Sequence, residues 1–241
     1  LSGYSTHLTA GRPIVIADHL GAATIEGLIA HWKLDETSGT TAYDSSGNGH
    51  DGTLINGPSW TPGLIAGALD FDGTDDFVQV PDSTSFDGTI NAFTVSGWVY
   101  DNDVDDGTND TGYLAALGNQ GAVKNNTFGF SVDSQKRITL ILGDTSSSQT
   151  FGALTAWKVA YQTWTHITAT FDGTNVKLYK DGIQFVDSAK TIGSLANNGD
   201  LIVAAQYANG SGFWDGQLDD VRIYNRALSL EEIKRLYELG R

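Results

Sequence analysis

The 241-residue chain has no cysteine and no methionine, only four prolines, and 14 Lys and Arg against 29 Asp and Glu. Without cysteine there is no disulfide framework, no thiolate nucleophile and no zinc–thiolate site. A formal charge of −15 argues against nucleic acid as a partner, because binding it requires Lys and Arg to neutralise phosphate. No apolar run approaches the ~20 residues that a membrane-spanning helix needs, so no membrane insertion is expected. Nor does a basic, then apolar, leader open the chain. A chain that begins at Leu1 and holds no methionine is expected to be a fragment or a processed product, its targeting signal cut away.

What is present reads as strands. Apolar residues make up 40% of the chain, enough for one core, and all-β chains of this length commonly fold as one unit. Alternation with period two predicts strands over 29–34, 68–72, 77–80, 93–100, 127–132, 137–142, 164–171, 176–180, 201–204 and 216–224. Asp172-Gly173-Thr174-Asn175 and Lys180-Asp181-Gly182 read as tight turns between them. A helical period emerges only at the end. There Ser229-Leu230-Glu231-Glu232 is a capping box, Ile233, Leu236 and Tyr237 share an apolar face, and Gly240 is a stop.

Two distant segments carry a resemblance. Near the start stand Trp32-Lys33-Leu34-Asp35-Glu36 and Asp44-Ser45-Ser46-Gly47-Asn48-Gly49-His50-Asp51-Gly52. Near the end stands Trp214-Asp215-Gly216-Gln217-Leu218-Asp219-Asp220-Val221-Arg222-Ile223-Tyr224. In this order they resemble the opening and closing signatures of laminin-G-like, concanavalin A-like lectin/glucanase domains. The resemblance implies an all-β fold, an antiparallel two-sheet β-sandwich of jelly-roll type with a short C-terminal helix. Residues 1–26 fit it poorly and are expected to be a linker or the tail of a preceding module, leaving 27–241 as the domain.

The 44–49 loop gathers a carboxylate, an amide and free carbonyls among glycines, as a hard cation such as calcium prefers. It lacks EF-hand spacing and offers too few oxygens alone. Similar domains hold a structural calcium between first and last strands, which implies Asp44, Asn48 and Asp219 as Ca2+ ligands, with Asp35 as a fourth. Alternatively, Asp44 and Asn48 cap a turn. A second acidic stretch, 101–110, has five aspartates in ten residues; it is either a solvated loop or a second calcium site that helps to hold a sugar.

Sugars stack their apolar faces on aromatic rings while polar side chains meet their hydroxyls. Trp32, Trp98, Phe130, Trp164, Phe171 and Tyr179 fall within strands and are expected in the core. Trp60, Tyr113, Trp157, Tyr161, Tyr207 and Trp214 lie in or beside Gly-, Asn- and Asp-rich loops. The candidate ligand-binding residues are therefore Asp101, Asp103, Tyr113, Trp157, Tyr207 and Trp214.

Catalysis is not expected. Laminarinase-type hydrolases of this fold use a Glu-x-Asp-x-x-Glu strand, and retaining hydrolysis needs paired carboxyls. Positions 37–230 contain no glutamate. No Gly-x-Ser-x-Gly elbow is present, and His31, His50 and His166 read as structural. The expectation is a calcium-stabilised, non-catalytic module that binds a glycan or polysaccharide, from a secreted or cell-surface protein. One alternative is a protein-binding or spacer domain of an extracellular adhesin, with an extracellular protein as partner; the other is a polysaccharide lyase or hydrolase.

Overall fold

The computed structural model describes residues 26–86, 88–89, 91–103, 111–118, 126–144, 147–152, 157–190, 195–197, 199–206 and 211–241. The expected linker lies outside them apart from Glu26, as do Tyr207 and the 104–110 part of the acidic stretch. In chain order the strands begin with β1 (Leu28–Trp32), β2 (Thr41–Ala42), β3 (Gly52–Ile55), β4 (Ser59–Pro62), β5 (Gly67–Asp72) and β6 (Phe77–Val80). Next come β7 (Gly88–Thr89), β8 (Phe93–Asp101), β9 (Gly112–Gly118), β10 (Asn126–Val132), β11 (Ile138–Gly143) and β12 (Ser148–Gly152). The last are β13 (Thr165–Phe171), β14 (Asn175–Lys180), β15 (Ile183–Ala189), β16 (Ala196–Asn197), β17 (Leu201–Val203) and β18 (Asp215–Tyr224), followed by helix α1 (Leu230–Glu238).

Two antiparallel sheets form the sandwich, as the resemblance implied. One runs β15-β14-β13-β8-β18-β5-β4, with β1 also on β18; the other runs β12-β11-β10-β9-β17-β6-β3-β2. A small pair, β7 with β16, stands apart. Alternate residues of β8 and β13 face the second sheet: Phe93, Val95, Val99, Ile167, Ala169 and Phe171 join Leu114, Phe130 and Leu140 in one core. Their other faces are buried too. Trp98 and His166 pack beneath Tyr237 of α1, with ring centroids 5.6 and 6.2 Å from it. That cover explains why every residue of β13 is buried although four of the seven are polar.

The helix starts where the sequence predicts it. The Ser229 side chain accepts from the Glu232 amide, and the Glu232 carboxylate accepts from the Ser229 amide at 2.8 Å. Arg226 also pairs with Glu232 and holds its carboxyl down at about 2.

The long strand β18 organises the first sheet. On one side it pairs with β8; on the other it pairs with β5 over 215–218 and with β1 over 221–224. The change of partner falls at a β-bulge between Asp219 and Arg222, where Asp220 has φ +53°. A bulge turns two successive side chains toward buried partners. Asp220 meets His31 Nε2 at 2.6 Å and Arg222 Nη2 at 2.9 Å. Asp219 Oδ2 accepts from the amides of Leu64 and Ile65 at 3.0 and 2.7 Å. It thus fastens the turn between β4 and β5.

Candidate functional site

One rim of the sandwich carries a mixed-charge cleft. It forms where β5, β8 and the start of β18 end in one sheet and β9 and the β10–β11 hairpin end in the other. Its volume is about 270 Å³, and its walls include Asp72, Asp101, Asp103, Lys136, Phe213, Trp214 and Asp215. Two glycines shape it. A Cβ on Gly216, at φ +128°, would stand 2.1 Å from the Tyr100 carbonyl oxygen, and one on Gly112 would stand 2.7 Å from the Trp214 ring. Glycine therefore lets β18 lie close against the end of β8 here and lets the indole lie on the β9 backbone.

Lys136 joins the two sheets at this rim. It sits in the β10–β11 turn at φ +63° and is only 6% exposed. Its ammonium stands 3.3 Å from Asp101 Oδ2 and pairs closely with Asp103 Oδ2. Asp101 Oδ1 accepts from the Asp103 amide at 3.0 Å, which closes the turn after β8. Burial pushes the Asp101 carboxyl up, and Lys136 draws it partly back. Burial and the neighbouring carboxylates Asp103 and Asp101 also raise Asp215. On the buried walls, Trp214 Nε1 has no hydrogen-bond partner.

Thr111 and Gly212 also line a shallower groove of about 340 Å³. Tyr113, Ser131, Asp133, Thr139, Ile141, Thr150, Gln206 and Ser211 complete its walls. Tyr113, Ser131, Thr139, Ile141 and Thr150 come from β9–β12, so this wall mixes apolar and polar side chains. Cleft and groove adjoin at Thr111 and Gly212.

The structure brings Asp101, Asp103 and Trp214 together in the cleft and places Tyr113 in the adjoining groove. Trp214 and Tyr113 are 2% and 4% exposed, so they are walls rather than exposed platforms. Trp157 lines neither cavity and stacks on Phe185, centroids 5.1 Å apart and planes 14° apart. Tyr207 lies outside the described residues. Sequence reasoning missed Asp72, Asp215 and Lys136. Asp215 follows Trp214 in the closing signature, whereas a lysine in a hairpin turn reads as solvated.

The residues expected to hold calcium do not share one coordination sphere. Asp44 Oδ1 accepts from the amides of His31 and Ser46 at 2.9 and 2.8 Å. Its Oδ2 accepts from Ser46 Oγ and the His50 amide at 2.7 and 3.0 Å. Both oxygens accept from protein donors, as in a capped turn. Asn48 turns its amide nitrogen to the carbonyls of Leu28 and Ile29. Asp35 Oδ1 accepts from the Gly67 amide. Among the described residues, the acidic group whose ligand atoms lie within 4.8 Å of one another is Asp72, Asp75 and Asp76, in the turn after β5.

Ser96 Oγ lies 3.0 Å from His166 Nε2, the spacing of a nucleophile and its base. Both residues are 1% exposed, and burial holds the histidine down at about 3. This pair is sealed between β8, β13 and α1, where no substrate reaches it.

The family described as the concanavalin A-like lectin/glucanases superfamily matches residues 72–234. No curated protein sequence matches the chain. Solved structures agree on the fold. The binding domain of Paraclostridial Mosquitocidal Protein 1 superposes with a TM-score of 0.72 at 18% identity, over 89% of this chain and 52% of that one. Domain 4 of AbnA, an extracellular arabinanase from Geobacillus stearothermophilus in complex with arabinotriose, gives 0.60 at 21% identity, over 89% and 98%. Trypanosoma rangeli sialidase in complex with sialic acid gives 0.67 at 19% identity, over 88% and 33%. The chain thus spans about half, or a third, of the mosquitocidal and sialidase chains that it matches.

Two measurements test the roles of the acidic residues. Asp44→Ala should cost about 2–3 kcal/mol in urea denaturation, since it strips several charge-assisted hydrogen bonds. The cost should be the same in calcium and in chelator; a cost confined to calcium would make Asp44 a ligand. Asp219 is raised by burial from 3.8 to about 7. Its folded form holds the proton more tightly than the unfolded form, so its stabilising contribution is complete below pH 3.8 and fades as pH rises to about 7. In Asp219→Asn, the stability difference between acidic and neutral pH should shrink; an unchanged difference would assign the pH dependence elsewhere.

Proposed function

Because the chain belongs to the concanavalin A-like lectin/glucanase superfamily, we propose that it is a non-catalytic, carbohydrate-binding module of a secreted or cell-surface protein. The observation that carries this reading is the polar cleft at the rim with a groove beside it. Tyr113, Ile141, Thr150, Gln206 and Ser211 line the groove, which shares Thr111 and Gly212 with the Trp214 cleft. Sugar hydroxyls both donate and accept, so a surface of mixed donors and acceptors beside a buried aromatic wall suits them. The likeness to an arabinanase domain solved with arabinotriose supports the same ligand class. The sealed Ser96–His166 pair gives a hydrolase or lyase no reachable nucleophile there.

The rival reading, a protein-binding or spacer domain of an adhesin, draws on Trp60, Trp157 and Tyr161, which line neither cavity.

A glycan array run with calcium and again with chelator tests the proposal. Binding should be selective but weak, about millimolar to micromolar for a single site. Thr150→Arg, at an exposed groove position, should weaken it about tenfold or more while leaving the melting temperature unchanged. A blank array on folded protein would favour the adhesin reading, and release of products from a polysaccharide would favour an enzyme.

A further inference from the structure

We propose that the cleft beside Trp214 makes this site selective by charge: it admits neutral and amino-bearing sugars and excludes those carrying a carboxylate. The inference rests on the carbohydrate reading above and adds the chemical class of the ligand.

Four aspartates, Asp72, Asp101, Asp103 and Asp215, face a single cation, Lys136, across the cleft. The lysine is committed to Asp101 and Asp103. Among the described residues, no lysine or arginine is paired with Asp72 or Asp215. A sugar carboxylate entering here would meet these like charges in a partly desolvated space. Their repulsion is screened less there than at an open surface. Burial first, and then repulsion from Asp103 and Asp101, raises the carboxyl of Asp215. An amino group would relieve that repulsion, and a hydroxyl would not add to it.

One wall atom suits a neutral polar ligand. Trp214 Nε1, on a residue 2% exposed, only donates and has no hydrogen-bond partner. A sugar hydroxyl can accept from it without adding negative charge to the four aspartates.

The test is titration calorimetry with oligosaccharides on one common core, ending in glucosamine, N-acetylglucosamine, glucuronate or sialate. Each is measured at low and at high salt. The acid-ended members should bind at least about tenfold more weakly than the neutral one at low salt. Salt should narrow the gap. Asp215→Asn and Asp72→Asn, the latter at an exposed position, should each narrow it as well. Equal or tighter binding of the acid-ended members would overturn charge selection and leave the carbohydrate reading standing. Absence of binding by every member to folded protein would overturn both.

Discussion

At the Asp219–Arg222 bulge a single ten-residue strand changes partner, and most of the architecture follows from that change. On one side β8 accompanies β18 throughout its pairing; on the other, β5 gives way to β1. The first and last parts of the chain therefore meet in the same sheet. The bulge also explains the two buried aspartates: Asp220 is neutralised by His31 and Arg222, whereas Asp219 is held only by backbone amides. A carboxylate with one unpartnered buried oxygen prefers its proton. The fold accepts that cost because the two amides it holds belong to the turn that returns β5 to the sheet.

The candidate site inherits its shape from the ends of these strands. Gly216 permits the close approach of β18 to the end of β8 at the rim, and Trp214, just before it, is pressed onto Gly112 of the facing sheet. Lys136 then ties the β10–β11 turn to the end of β8. The walls are thus set by both sheets, and the indole and carboxylates are positioned before any ligand arrives. Such preorganisation lowers the ordering cost of binding.

Strands in which buried apolar residues alternate with more exposed ones, such as β14, were legible from alternation. β9 was not, because Tyr113 to Gly118 are all buried and an unbroken small and apolar run carries no period. β15 was missed for the opposite reason: it is an exposed edge with no apolar stripe. The closing helix was legible because its capping box is local chemistry. At the site, Asp101, Asp103, Tyr113 and Trp214 were legible as acidic or aromatic residues beside loops. Their partner Lys136 was not, since only tertiary packing buries a turn lysine. Asp44 shows the limit of composition: an Asp among Ser, Gly and Asn reads equally as a cation loop or a capped turn. The count of donors around each oxygen decides which, and that count exists only in three dimensions.

The most direct test of the account is an amide and indole NMR spectrum recorded while the protein is titrated with a neutral oligosaccharide such as arabinotriose. The account predicts that the Trp214 Nε1–H signal and the amides of Gly112 and Gly212 move together and saturably. The Trp157 indole should stay in place. Shifts confined to Trp157 and its neighbours, or no shift at all, would contradict it.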